Sequence, residues 1–127
     1  MIEETIKTRL SAYPGLTALV GTRIYPVIMP EGVTYPGVVY QRISTMPREI
    51  AMGSDPGIGR ARLQFTAWDN SYKVVKQIIE QIRLALERYN ISDIIDIYVL
   101  AEYDLYDTDA LKYGAALDFD VAFMEST

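Results

Sequence analysis

Two apolar repeats of different period stand next to each other in the middle of the chain, and they constrain the fold more than any other feature. Ala61, Leu63, Phe65 and Ala67 alternate with Arg62, Gln64 and Thr66, the period of a half-buried strand. Asp69-Asn70-Ser71 follows and offers side chains able to cap a helix. Val75, Ile78, Ile79, Ile82, Leu86 and Tyr89 then recur at helical spacing, with Lys73, Lys76, Glu80, Arg83 and Glu87 on the other side. Such a helix is roughly 30 Å long at ~1.5 Å per residue. Neither apolar face is stable in water alone, so the expected core packs the helix stripe on Leu63, Phe65, Leu117, Phe119 and Val121.

The remaining patterns fill in an α+β fold, a mostly antiparallel sheet with one long amphipathic helix and a short N-terminal helix packed on one face. Ile2, Ile6, Leu10 and Tyr13 predict the N-terminal helix over 2–12, ended by Pro14-Gly15. Leu16 to Val20 reads as one further helical turn closed by Gly21. The stretch 23–29 is β-rich but contains Pro26, which suits an edge or a strand end. A strand over 38–45 would place Val39, Gln41 and Ile43 on one face. Residues 46–59 hold two prolines and three glycines and read as a loop, long for a hairpin. The stretch 94–106 is strand-like, Asp107-Thr108-Asp109 is a turn, and 113–124 is the last strand, with Asp118 and Asp120 facing outward. All 127 residues fit a single domain.

Composition removes whole classes of chemistry. The chain has no cysteine and no histidine, so Cys-ligated zinc, disulfides, Cys nucleophiles and His bases are out. Half the residues are hydrophobic, which argues against disorder. The net charge is -5, against nucleic-acid binding as the main activity. Its distribution is uneven: residues 1–89 hold eleven bases and eight acids, whereas 90–127 hold Lys112 and nine acids. The acidic start of the chain is unlike a signal peptide, and no apolar run approaches the ~20 residues of a membrane span. A cytoplasm is the expected place of synthesis, with no membrane partner.

Several groupings suggest chemistry and then fail on spacing. Glu102, Asp104, Asp107 and Asp109 lack the order and the glycine of a calcium loop. The run from Gly53 to Arg60 is glycine-rich but has no lysine and leads into a strand, unlike a phosphate loop. Asp118 and Asp120 point the same way and with Glu102 suggest a small metal-dependent enzyme; the plainer reading is pairing with Arg60 or Arg62 across strands, or a solvated face. Arg42, Arg48, Arg60 and Arg62 suggest a nucleic-acid-binding adaptor. Trp68 alternates with the polar side of its strand, so it either covers the end of the next helix or lies in a contact with another subunit.

Taken in order, several segments resemble the tail-completion, or tail-terminator, proteins of long-tailed bacteriophages and prophages. They are Leu16-Thr17-Ala18-Leu19-Val20-Gly21, Arg23-Ile24-Tyr25-Pro26, Pro36 to Ser44, Ala61 to Trp68 with its following helix, and Leu117-Asp118-Phe119-Asp120-Val121. The resemblance spans nearly the whole chain; order and spacing carry it. Where the family has an aromatic pair near the end of the last strand, this chain has Phe123-Met124.

The resemblance implies a structural virion protein with no catalytic residues and no cofactor or metal. Such a protein forms a ring, commonly of six, that terminates the tail tube and joins the tail to the head connector. Its expected partners are copies of itself, the tail tube protein and the connector protein, with DNA only as passing cargo. Its expected place is the head-proximal end of the tail in the virion, reached from the host cytoplasm during assembly. Arg48, Glu49, Ile50, Met52, Ile58 and Trp68 are the expected interface residues, the loop being poorly ordered until it meets a partner. Asp104, Asp107, Asp118 and Asp120 are the expected acidic lining of the lumen.

Overall fold

The computed structural model describes residues 1–46, 58–91 and 93–124. The order is α1 (Ile2–Ser11), α2 (Pro14–Val20), β1 (Ile24–Pro26), β2 (Gly37–Met46), β3 (Ile58–Asp69), α3 (Tyr72–Leu86), β4 (Ile94–Asp107) and β5 (Lys112–Met124). The strands form one sheet in the order β1-β2-β3-β5-β4. Every pairing is antiparallel except β1 with β2.

The helices share one core with one sheet face. Val75, Ile78, Ile79, Ile82 and Leu86 are buried together with Leu63, Phe65, Leu117, Phe119 and Val121. Ile2, Ile6 and Leu10 of α1 and Leu16 and Val20 of α2 join the same cluster. Phe65 meets Phe119 edge-on at 5.6 Å between ring centres and stacks on Tyr40 at 6.3 Å, arrangements that suit aromatic quadrupoles. Ser71 caps α3 by accepting the Val74 N–H, and Asp69 in turn accepts from the Ser71 N–H.

The structure corrects two local expectations. Pro14 does not merely end the first helix: it is the first residue of α2, where its missing N–H would have no partner in any case. The helical turn expected from Leu16 to Val20 thus begins at Pro14, and among the described residues three helices cover the sheet. In β2 the register shifts between Arg42 and Ser44, so Ile43 is an extra residue and does not continue the face of Val39 and Gln41.

Candidate assembly surface

Opposite the helices, the sheet carries a polar network that the alternation in β3 and β5 dictates. Arg62 lies opposite Asp120 in register but pairs diagonally with Asp118, at 2.5 Å; Arg60 pairs with Asp120 at 2.9 Å. Gln64 donates to Asp118 at 3.0 Å and to the Tyr103 hydroxyl, and accepts from Gln41 at 3.3 Å. The hydrogen bond from Arg62 to Asp118 holds the guanidinium in its charged form, raising its pKa. Asp118 faces away from the helices as expected, yet it is not solvated: it is 2% exposed, roofed by the longer side chains around it.

A second cluster lies on the helix side of β4. Lys76 of α3 donates to Glu102 at 2.7 Å and to Asp104 at 3.1 Å, and the Tyr72 hydroxyl donates to Asp104 at 2.7 Å. The bonds to Glu102 and then Asp104 raise the Lys76 pKa; those from Tyr72 and then Lys76 lower that of Asp104. Tyr72, Tyr113 and Tyr106 continue the cluster, each ring edge-on to the next. Asp107 closes the β4–β5 turn by accepting the N–H groups of Asp109 and Ala110.

These positions separate the residues singled out in the sequence. Glu102 lies on the helix side of the sheet and Asp118 and Asp120 on the other, each held by a base, so the three do not meet as one metal site. Among the described residues no group of three acids is placed to hold a metal ion. Arg42 is bound to Glu3 of α1 at 2.8 Å, Arg60 and Arg62 are bound on the open face, and Arg48 lies outside the described residues. The four acids expected to line a lumen likewise do not form one patch: Asp104 is on the helix side, Asp107 in the turn, and Asp118 and Asp120 on the open face.

Of the expected interface residues, Arg48, Glu49, Ile50 and Met52 lie outside the described residues. Ile58 opens β3 beside Met124 and is half-buried. Trp68 is also half-buried, but it lies across Gly114, its partner in register, and not over the end of α3. Pro26 marks the β1 edge in the sequence, and β1 is an outer strand; the other edge was not singled out there. β4 is an outer strand of 14 residues, and Ile95, Tyr98, Leu100, Tyr103, Leu105 and Tyr106 on it are all exposed. The signal was present as a run of large apolar residues too continuous for a one-sided strand.

Residues 4–123 match the protein family described as Tail completion protein gp17. A chain in the solved structure described as "Virion of native gene transfer agent (GTA) particle" has a similar fold, with a TM-score of 0.70 and 17% identity, covering 93% of this chain and 90% of that one. A comparison with curated proteins finds no match. No helix among the described residues is long and apolar enough to cross a membrane.

Proposed function

The chain belongs to the Tail completion protein gp17 family, and from that premise we propose that it forms a ring, commonly of six, that terminates the phage tail tube and joins the tail to the head connector. Family membership makes the chain a structural component of the virion tail and not an enzyme. The observation that carries the proposal is the match over 4–123, which runs from within α1 to within β5. The sheet supports it in a specific way. Its two outer strands, β1 and β4, lie on opposite sides of one subunit, and a contact between unlike surfaces of identical subunits closes into a ring when the rotation allows.

In this reading the partners are further copies of the chain, the tail tube protein and the connector protein. DNA passes through without being held, along an acidic lining. Asp104, exposed but bonded to Lys76 and Tyr72, and Asp107, half-exposed in the turn, are the acids left to contribute to that lining. Asp118 is sealed under Arg62 and Asp120 is tied to Arg60, so their charge is largely compensated. Ile58 and Trp68 remain candidate contact residues, and residues 48–52 join them on sequence grounds.

Negative-stain imaging of the concentrated protein tests the ring, and complementation of a phage lacking its own tail-completion gene tests the role. Closed rings and restored joining of tails to heads are expected. Restored joining without any ring in the tail, or rings that never occur at the tail's head-proximal end, would overturn the corresponding half of the proposal.

A further inference from the structure

Backbone irregularities on the two opposite edges of the sheet each push an aliphatic side chain into solvent. On the β1 edge Val27 has φ 67, a left-handed conformation that a β-branched residue rarely adopts. Its side chain is 62% exposed, and that of Ile28 beside it is 66% exposed. Further along the same edge β2 bulges at Ile43, again exposed. On the β4 edge the register shifts between Ile94 and Asp96 and between Val99 and Ala101, so Ile95 and Leu100 are the extra residues. Leu100 is 50% exposed. A subunit acting alone gains nothing from strain or bulges that display aliphatic groups; edge bulges ordinarily serve to keep other chains away, and charges serve that end better.

We propose that these two edges are the two halves of one head-to-tail contact between copies of this chain, Val27 and Ile28 of one copy packing on the β4 edge of the next around Leu100. The proposal rests on the ring reading and says which surfaces close it. The second copy is the occupant for two reasons. The edges lie about 20 Å apart across five strands spaced at ~4.8 Å, so one copy can use both at once. Beside the aliphatic pair the β1 edge carries a hollow of about 270 Å³, lined by Met1, Val27 and Tyr40 together with the charged Glu3, Glu4 and Lys7, into which a neighbour's side chain could reach.

The backbone agrees with a side-chain contact in place of a strand pairing at β1. The Ile24 N–H is used by the Thr22 carbonyl, Pro26 has no N–H, and the Pro26 carbonyl accepts from Ile28. The β1 edge thus offers few ladder groups and presents apolar side chains instead.

The test uses two full-length variants, Ile28→Asp and Leu100→Asp, each damaging one edge and leaving the other intact. Both positions are exposed, so both variants keep the wild-type circular dichroism and melting. Light scattering after size exclusion then reads assembly. Wild type assembles, each variant alone is monomeric, and an equal mixture forms a dimer and stops there, because only one intact junction is available. Assembly of either variant alone as in wild type, a monomeric mixture, or a wild type monomeric at every concentration would overturn the head-to-tail contact. Tail complementation by the wild type reads the tail role separately. A wild type that completes tails while both variants still form rings leaves that role standing and removes this contact.

Discussion

The indole of Trp68 occupies the space that a side chain at residue 114 would need. The two are partners in the β3–β5 register, and a Cβ on Gly114 would stand 2.6 Å from Cζ3 and 2.7 Å from Cε3 of the ring. Glycine in the interior of a strand weakens it unless another group approaches closely, and here an aromatic ring covers the bare backbone. Gly114→Ala is therefore expected to destabilise the domain by about 1–3 kcal/mol through overpacking. Adding Trp68→Ala should recover part of that loss, a non-additive result read from a double-mutant cycle by denaturant titration. Trp68 is the only tryptophan, so its fluorescence reports the displacement directly.

Ile82 is fully buried between α3 and the sheet. Ile82→Ala should cost about 2–5 kcal/mol, with the midpoint of urea unfolding as the measurement. An unchanged midpoint would show that α3 does not close the core at this point.

The pair on the open face is asymmetric. Asp118 is buried whereas the Arg62 side chain is 45% exposed. Arg62→Ala leaves a buried carboxylate without its base, whereas Asp118→Ala leaves a cation that water can reach. The arginine substitution should lower the urea midpoint more than the aspartate substitution does. Equal losses would contradict the burial of Asp118.

Acid should weaken the fold through Glu3 and Asp104. Burial works against ionised Glu3, but the hydrogen bond and charge of Arg42 outweigh it and lower its pKa; hydrogen bonds from Tyr72 and Lys76 lower that of Asp104. A carboxyl group with a lower pKa folded than unfolded adds stability above the unfolded value of about 4, and that stability is lost as pH falls through the folded value. Glu3→Gln should flatten the fall in stability below about pH 4, measured by urea unfolding across pH. A slope identical to wild type would remove Glu3 as a contributor.

Deletion of residues 52–57 tests the segment that its glycines and its apolar Met52 single out in the sequence. Circular dichroism and melting should survive while joining of tails to heads is lost. A deleted chain that still completes tails would show that the segment is not an assembly element.

Local patterns in the chain already specified α3, β3 and β5, since a helix stripe from Val75 to Leu86 and alternation around Phe65 and Phe119 are written in neighbouring residues. They also specified which residues meet in the core, because apolar faces of period 3.6 and period two must cover each other. Tertiary structure alone decided the rest. Nothing near Ile43, Ile95 or Leu100 in sequence marks a bulge, which exists only relative to the strand next door. Alternation already allowed Asp118 to pair with Arg60 or Arg62, but its burial follows only when β3 brings Arg62 and Gln64 over it from more than fifty residues away. Gly114 has no local reason to be glycine; Trp68 supplies it across the sheet. Pro26 gave the β1 edge a local mark, but the β4 edge follows from strand order, which depends on contacts between distant segments.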